Sequence, residues 1–255
     1  MTVKNQQRPM FVTVTAVRRL SEQMARITLA GDEVANFAYA GPDHLARVFF
    51  PVAEDFRLPV TEDWWPELQA MPAEHRPVMR NYTVRRIDHE SGELDIDFVL
   101  HGDSGPASAW ACAATPGDRI GVLSDRSEYQ PADADWQLLV GDETAVPAVA
   151  GILESLAPGT QATVLLEVAE SFARIELTIP AGAEVSWLNR GTARGGAVIE
   201  ALRSSTFPEG KPYAWVAGES SLATSIRRYL VNERGIDKKH IYFCGYWRAN
   251  RPAYD

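Results

Sequence analysis

The sequence predicts two domains: an antiparallel β-barrel, then an α/β domain on a parallel sheet. Three features predict them. A length of 255 residues suits two ordinary domains. The first half alternates apolar and polar residues at period two, as half-buried antiparallel strands do. The second half changes to short, continuously apolar runs followed by helical spacing, the pattern of parallel strands buried on both faces.

Taken in order, the barrel strands are Phe11 to Arg19, Met24 to Gly31, Leu45 to Val52, Met79 to Ile87, Gly92 to Gly102 and Asp118 to Leu123. Between the third and fourth, Pro51 to Pro77 carries Pro59, Pro66, Pro72 and the pair Trp64-Trp65 without strong periodicity, and is expected to be a long surface excursion. In the second half, Trp136 to Gly141 reads as a buried strand, and ETAVPAVAGILESL after it as a helix with Pro147 near enough to its start to be tolerated. Strands at Ala162 to Ala169, Glu184 to Leu188, Tyr213 to Gly218 and His240 to Trp247 follow, with a helix near Gly196 to Arg203. From Glu219 to Arg234, Leu222, Ile226, Tyr229 and Leu230 make one helical stripe that Ser220 or Ser221 is placed to cap. Alternating strand and helix specify right-handed crossovers and a ligand edge at the strands' carboxyl ends. The boundary falls near Gln130 to Asp135, giving domains 1–132 and 133–255.

Composition excludes several classes. Hydrophobic residues at 45% and charged residues at 23% are ordinary globular usage, not that of a disordered or fibrous chain. A formal charge of −9 repels phosphate backbones and anionic membranes, so no nucleic-acid partner is expected. No apolar run approaches the roughly 20 residues that span a bilayer, and the start lacks a signal-peptide pattern, so no membrane insertion and a cytoplasmic location are expected. Only Cys112 and Cys244 occur, which rules out a protein-held iron–sulfur cluster or Cys-rich zinc site. Redox chemistry would have to come from a bound cofactor.

Three segments carry the chemistry. In Arg80-Asn81-Tyr82-Thr83-Val84-Arg85-Arg86, a strand puts Arg80, Tyr82 and Val84 on one face, which suits a flat ring joined to a phosphate. It equally suits an edge strand with solvated arginines. In His101-Gly102-Asp103-Ser104-Gly105-Pro106-Ala107-Ser108-Ala109-Trp110, Pro106 can open a short helix whose free N–H groups would hold a diphosphate, or simply a strand-to-helix turn. The turn Gly141-Asp142-Glu143-Thr144 is not GxGxxG, and its two carboxylates make it wrong for a pyrophosphate. Thr144 and the turn backbone can meet an uncharged ring, or the acids can merely complement the helix dipole.

These blocks, RNYTVRR, ELDIDFVLHGDSGPASAWA, LLVGDETAVPA, WVAGESS and the terminal GYWR, are spread over residues 10 to 250 and together resemble the siderophore-interacting protein family of flavin-dependent ferric-siderophore reductases. The resemblance implies a ferredoxin-reductase-like architecture, an FAD-binding barrel followed by an NAD(P)H-binding α/β domain. It implies that Arg80, Tyr82 and Thr83 hold the flavin and its phosphates, that Asp97, Val99 and His101 line the FAD, and that Ala107 and Ser108 donate to its diphosphate. It places Thr144, Tyr246 and Trp247 over the isoalloxazine, and Arg47, Arg126 and Arg248 on an anionic ferric chelate. No protein residue is expected to act as a catalytic nucleophile or acid, and no metal is expected to be resident. One departure is the stretch Val122 to Glu128, which lacks the family's Gly-Pro-Arg-Gly-like turn. The chain ends seven residues after Arg248, with no long terminal helix, which favours NADH or NADPH over ferredoxin as reductant. A general flavin reductase or diaphorase and a non-catalytic ferric-chelate binder are the alternatives. A monomer is the default. Arg190, Arg194, Arg227 and Arg228 are each placed to meet a 2′-phosphate, or to be plain helix-face or loop cations.

Overall fold

The computed structural model describes residues 8–102, 105–170, 172 and 174–249. It divides between Ser127 and Glu128 into two compact units.

The first unit is a closed six-stranded antiparallel barrel of β1 (Met10–Ser21), β2 (Met24–Ala30), β3 (Leu45–Phe50), β4 (Val78–Asp88), β5 (Glu93–Val99) and β6 (Arg119–Ser124), in the order β1-β2-β5-β4-β3-β6. Alternation fixes the register: Ile27, Leu29, Val48, Val84, Ile96 and Phe98 point inward and are fully buried. Each such side chain contributes about 1.5–3 kcal/mol by leaving water. On β5 the other face is buried too, under salt bridges: Asp95 bonds Thr28 (2.8 Å) and Arg86 (2.8 Å), and Asp97 bonds Arg26 through both oxygens (2.7 and 2.8 Å). The helix α2 (Pro106–Ala113) packs Ala107, Ala111 and Trp110 onto this core. The segment expected as a surface excursion differs. It contains helix α1 (Trp64–Ala70), and Phe56, Leu58 and Leu68 bury with Phe49, Met79 and Leu123 in a second cluster. Phe56 and Leu58 meet the barrel from a loop and Leu68 from a helix of only seven residues, so no long period marks the segment.

The second unit is a five-stranded parallel sheet of β7 (Trp136–Gly141), β8 (Gln161–Val168), β9 (Ala183–Asn189), β10 (Pro212–Glu219) and β11 (Ile241–Trp247), in the order β11-β10-β7-β8-β9. The helices α3 (Val146–Ser155), α4 (Gly196–Ser204) and α5 (Ser220–Asn232) follow β7, β9 and β10, and no helix is present between β8 and β9 among the described residues. The chain leaves β7 toward β8 and later returns to its other side with β10, so the ligand-binding switch point of such sheets lies at the carboxyl ends of β7 and β10. Among the described residues, no helix is long and apolar enough to cross a membrane.

Candidate functional site

In the barrel, one aromatic cluster joins the two segments singled out in the sequence. Tyr82 on β4 packs against Phe98 (ring centroids 4.5 Å apart), and Trp110 on α2 packs against both Phe98 (5.8 Å) and Phe50 (5.5 Å). Strand and helix are therefore fixed to each other through shared apolar contacts. Arg80 lies on the Tyr82 face, half-buried, with its guanidinium donating to the Met79 carbonyl (2.8 Å). Burial pushes the Tyr82 phenol well above its ordinary pKa, with Arg80 opposing, so the ring stays neutral. Thr83 is buried on the other face, and the β4–β5 pairing slips between Val84 and Arg86, a bulge that ends the simple alternation of the heptapeptide at Arg85.

The start of α2 has the form a diphosphate site requires. Gly105 precedes it in extended backbone, Pro106 takes the first position, and among the described residues no side chain caps the N–H groups of its first turn. Ser108 is buried, and its hydroxyl oxygen accepts the His101 amide (2.9 Å), closing the turn. His101 is exposed beside it, and Val99 is half-buried at the end of β5. Asp103 and Ser104 of this motif lie outside the described residues. Asp97 is engaged elsewhere: its carboxylate holds Arg26 and lies 3.9 Å from Arg85.

A separate cationic feature forms at the carboxyl end of β6. Arg47 on β3 (2.6 Å) and Arg126 (3.0 Å) both pair with Asp125, and Arg47 also lies over the Trp64 ring at 5.1 Å. Beneath them is fully buried His44. Its Nδ1 accepts from the Ala40 amide (3.0 Å) and its Nε2 meets Ser124 Oγ (3.2 Å), which donates to the Ala38 carbonyl (2.7 Å). Burial lowers the His44 pKa to about 4 against the opposing pull of Asp125 and Asp43, so the imidazole is neutral with its proton on Nε2.

In the α/β unit, the carboxyl ends of the strands are tied together by acids. Asp142, fully buried, accepts from Thr144 N (2.9 Å) and Thr144 Oγ1 on its own turn, from Glu219 N at the end of β10 (2.7 Å), and from the indole of Trp247 at the end of β11 (2.9 Å). Gly218 makes this possible: its φ is 136° and a Cβ there would sit 2.7 Å from the Asp142 carboxyl carbon. Burial, and then Glu143, raise the Asp142 pKa, while its hydrogen bonds oppose. Arg194 lies over the Trp247 ring at 4.7 Å, Tyr246 is half-buried against Trp215 at 6.4 Å, and Arg248 is exposed just beyond the strand. Glu219 caps α5 by accepting from Ser221 N (2.7 Å) and Leu222 N (3.3 Å). The cap expected of Ser220 or Ser221 is thus corrected: the longer Glu side chain reaches the same donors from the position before them.

Two family models divide the chain within a few residues of the boundary between the units. A siderophore-interacting FAD-binding domain matches residues 13–129, and a siderophore-interacting protein domain matches residues 134–250. The chain belongs to the siderophore-interacting protein family. Ferric vibriobactin reductase of Vibrio cholerae is 32% identical over 96% of this chain and 92% of that protein. The NADPH-dependent ferric-chelate reductase of Escherichia coli is 32% identical over 97% of this chain and 96% of that one. Among solved structures, a siderophore utilization protein from T. fusca superimposes with a TM-score of 0.86 at 37% identity, covering 100% of this chain and 98% of that one. A ferredoxin reductase of carbazole 1,9a-dioxygenase, at 16% identity and a TM-score of 0.69 over 94% of this chain and 67% of that one, shares the fold alone.

For a member of the siderophore-interacting family, the residues the sequence did not single out are the acids. The roles of Asp125, Asp142, Glu167 and Glu219 are not legible in the sequence, because their partners are distant in the chain: Asp142 and Trp247 lie 105 positions apart. The only local signal was that Asp125 adjoins Arg126.

Proposed function

We propose that this chain is an FAD-dependent ferric-siderophore reductase that takes its electrons from NADH or NADPH and releases iron as Fe(II). The single observation that carries the reading is the joining of the Arg80–Tyr82 face and the start of α2 by one aromatic cluster, inside the segment matched by the FAD-binding family model. A dinucleotide flavin needs that combination, a flat apolar ring surface near a cation and unpaired backbone N–H donors. The relatives named as ferric vibriobactin reductase and NADPH-dependent ferric-chelate reductase support the substrate class and the reductant.

Bound FAD would supply the conversion of a two-electron hydride donor into single-electron deliveries. The protein's own residues bind and position. Tyr82, kept neutral by burial, offers ring surface, and Arg80 and Thr83 offer donors for phosphate oxygens. Ala107 and Ser108 offer N–H groups at the start of α2, with the Ser108 hydroxyl locked by the His101 amide so that the turn is formed in advance. Val99 and His101 border this turn, and Asp97 acts behind it by holding Arg26 and facing Arg85. Thr144, Tyr246 and Trp247 present the second unit's carboxyl edge, with Thr144 and Trp247 fixed by Asp142. Arg47, Arg126 and Arg248 supply positive charge that draws an anionic chelate to an otherwise acidic chain. Reduction opens the chelate because Fe(II), with its lower charge density, binds hard oxygen donors less tightly than Fe(III).

The test is anaerobic: the FAD-loaded protein, a ferric siderophore and NADH or NADPH, with a ferrous chelator as trap. Nucleotide-dependent appearance of the ferrous complex supports the reading; bound chelate with no Fe(II) formed would leave a chelate-binding protein.

A further inference from the structure

We propose that Arg194 grips a phosphate of the nicotinamide nucleotide at the carboxyl edge of the α/β unit's sheet. This rests on the reading of the chain as a nicotinamide-dependent reductase, and names the group that holds the donor.

Sheets of this kind ordinarily bind nucleotide phosphates on the free N–H groups where a helix begins after a strand. Here those donors are taken by the chain's own carboxylates. Asp142 accepts Thr144 N after β7, Glu167 accepts Gly195 N (2.7 Å) and Ala197 N (3.1 Å) at the start of α4, and Glu219 accepts Ser221 N and Leu222 N at the start of α5. A phosphate placed at any of these turns would face an ionisable acid in its own position. Its binding must therefore fall to a cationic side chain.

Four arginines of this unit were candidates, and the structure separates them. Arg190 is engaged by Glu143 and by Glu167, whose carboxylate lies 4.0 Å away. Arg227 and Arg228 sit seven and eight positions beyond Ser220, the first residue of α5, which places them roughly 10–12 Å down the helix at 1.5 Å per residue. Arg227 lies over Phe243 there. Arg194, in the loop between β9 and α4, is the remaining one. Its guanidinium lies over the Trp247 indole, 4.7 Å from the ring centroid, and that indole is itself held by Asp142. Among the described residues no carboxylate lies within ion-pair distance of Arg194, and its Nη1 is buried with no hydrogen-bond partner. Desolvating a guanidinium nitrogen without a partner is unfavourable, and a stacked, pre-oriented fork of donors matches a phosphate's paired oxygens.

The test measures binding to the FAD-loaded chain by calorimetry with NADP⁺, NAD⁺ and nicotinamide riboside, which lacks phosphate. Arg194→Gln should weaken NADP⁺ at least tenfold and leave the riboside unchanged. Arg194→Lys, which keeps the charge but not the fork, should fall between. Equal weakening of NAD⁺ assigns the diphosphate; weakening of NADP⁺ alone assigns the 2′-phosphate. Arg203→Gln, which removes an exposed cation paired with Glu233 in the same unit, should change neither. An unchanged dissociation constant in Arg194→Gln, equal losses in Arg203→Gln, or a loss confined to the ferric chelate would overturn the proposal. A wild-type protein that binds neither nucleotide, and whose flavin neither nucleotide bleaches while dithionite does, would remove the nicotinamide reading itself and this proposal with it.

Discussion

Replacing Asp125 by Asn should tighten the protein's hold on an anionic ferric chelate. One carboxylate pairs with both barrel arginines, Arg47 at 2.6 Å and Arg126 at 3.0 Å, so the three side chains together carry a single positive charge and the variant would carry two. For a ligand charge held roughly 7 Å from the carboxylate, Coulomb's law gives about 0.6 kcal/mol in water and about 2.4 kcal/mol at an effective dielectric of about 20. Arg126 is 57% exposed, so the aqueous end applies, and a Debye length of about 8 Å at physiological salt removes about half of it. The remainder, about 0.3 kcal/mol per ligand charge, sums to about 0.9 kcal/mol for a trianionic tris-catecholate, roughly a four- to fivefold lower KM. The assay is steady-state ferric-chelate reduction with a tris-catecholate substrate at low and high ionic strength. The expected result is a lower KM with unchanged kcat, the difference shrinking as salt rises. A KM that does not move at either ionic strength, or one that rises, would show that these arginines do not face the substrate.

Three further outcomes follow from the same structure. Arg80→Ala should lose a charge-assisted contact to a phosphate, about 1.5–3 kcal/mol, and so weaken FAD about 10- to 100-fold in a fluorescence titration while the fold persists by circular dichroism; full FAD occupancy would refute its assignment. His44 takes up a proton less readily folded, at about 4, than its ordinary value of 6.5, so its contribution is complete above pH 6.5, declines as pH falls, and is lost by pH 4. The loss reaches about 3 kcal/mol, and denaturant unfolding of His44→Gln should show a flatter stability profile over that window than the parent. Asp142→Ala removes the acceptor shared by β7, β10 and β11 and leaves several buried donors unpaired; we expect a loss of about 3–5 kcal/mol and a lower Tm, whereas a change within experimental error would show that the strand ends do not depend on it.

What the sequence disclosed and what it withheld divide along physical lines. Alternation in β1, β2 and β5 and the apolar runs of β7 and β10 are local signals, and each strand formed where its period placed it. The Tyr82 and Arg80 face was readable for the same reason, since residues two apart on a strand share a side. The helix at Trp64–Ala70 was not, because it is only seven residues long: Trp64, Leu68 and Met71 meet the second cluster at helical spacing, too short a stripe to stand out among the surrounding prolines. Nor was the pairing of Asp97 with Arg26, 71 positions away, which takes both carboxylate oxygens. Arg190 and Arg194 look alike in sequence, and only the fold sets Glu143 and Glu167 against one and an indole beneath the other. Tertiary pairing decided the cases of Asp97 and the two arginines.

The central claim is that the barrel holds a flavin dinucleotide between the β4 arginine–tyrosine face and the start of α2. Titration of the purified chain with FAD, followed by flavin absorbance and by quenching of flavin fluorescence, tests it. The purified protein should be yellow and saturate at one FAD per chain, with Tyr82→Ala and Arg80→Ala both lowering the affinity. A well-folded chain that stays colourless and leaves added FAD as fluorescent as in buffer would contradict it.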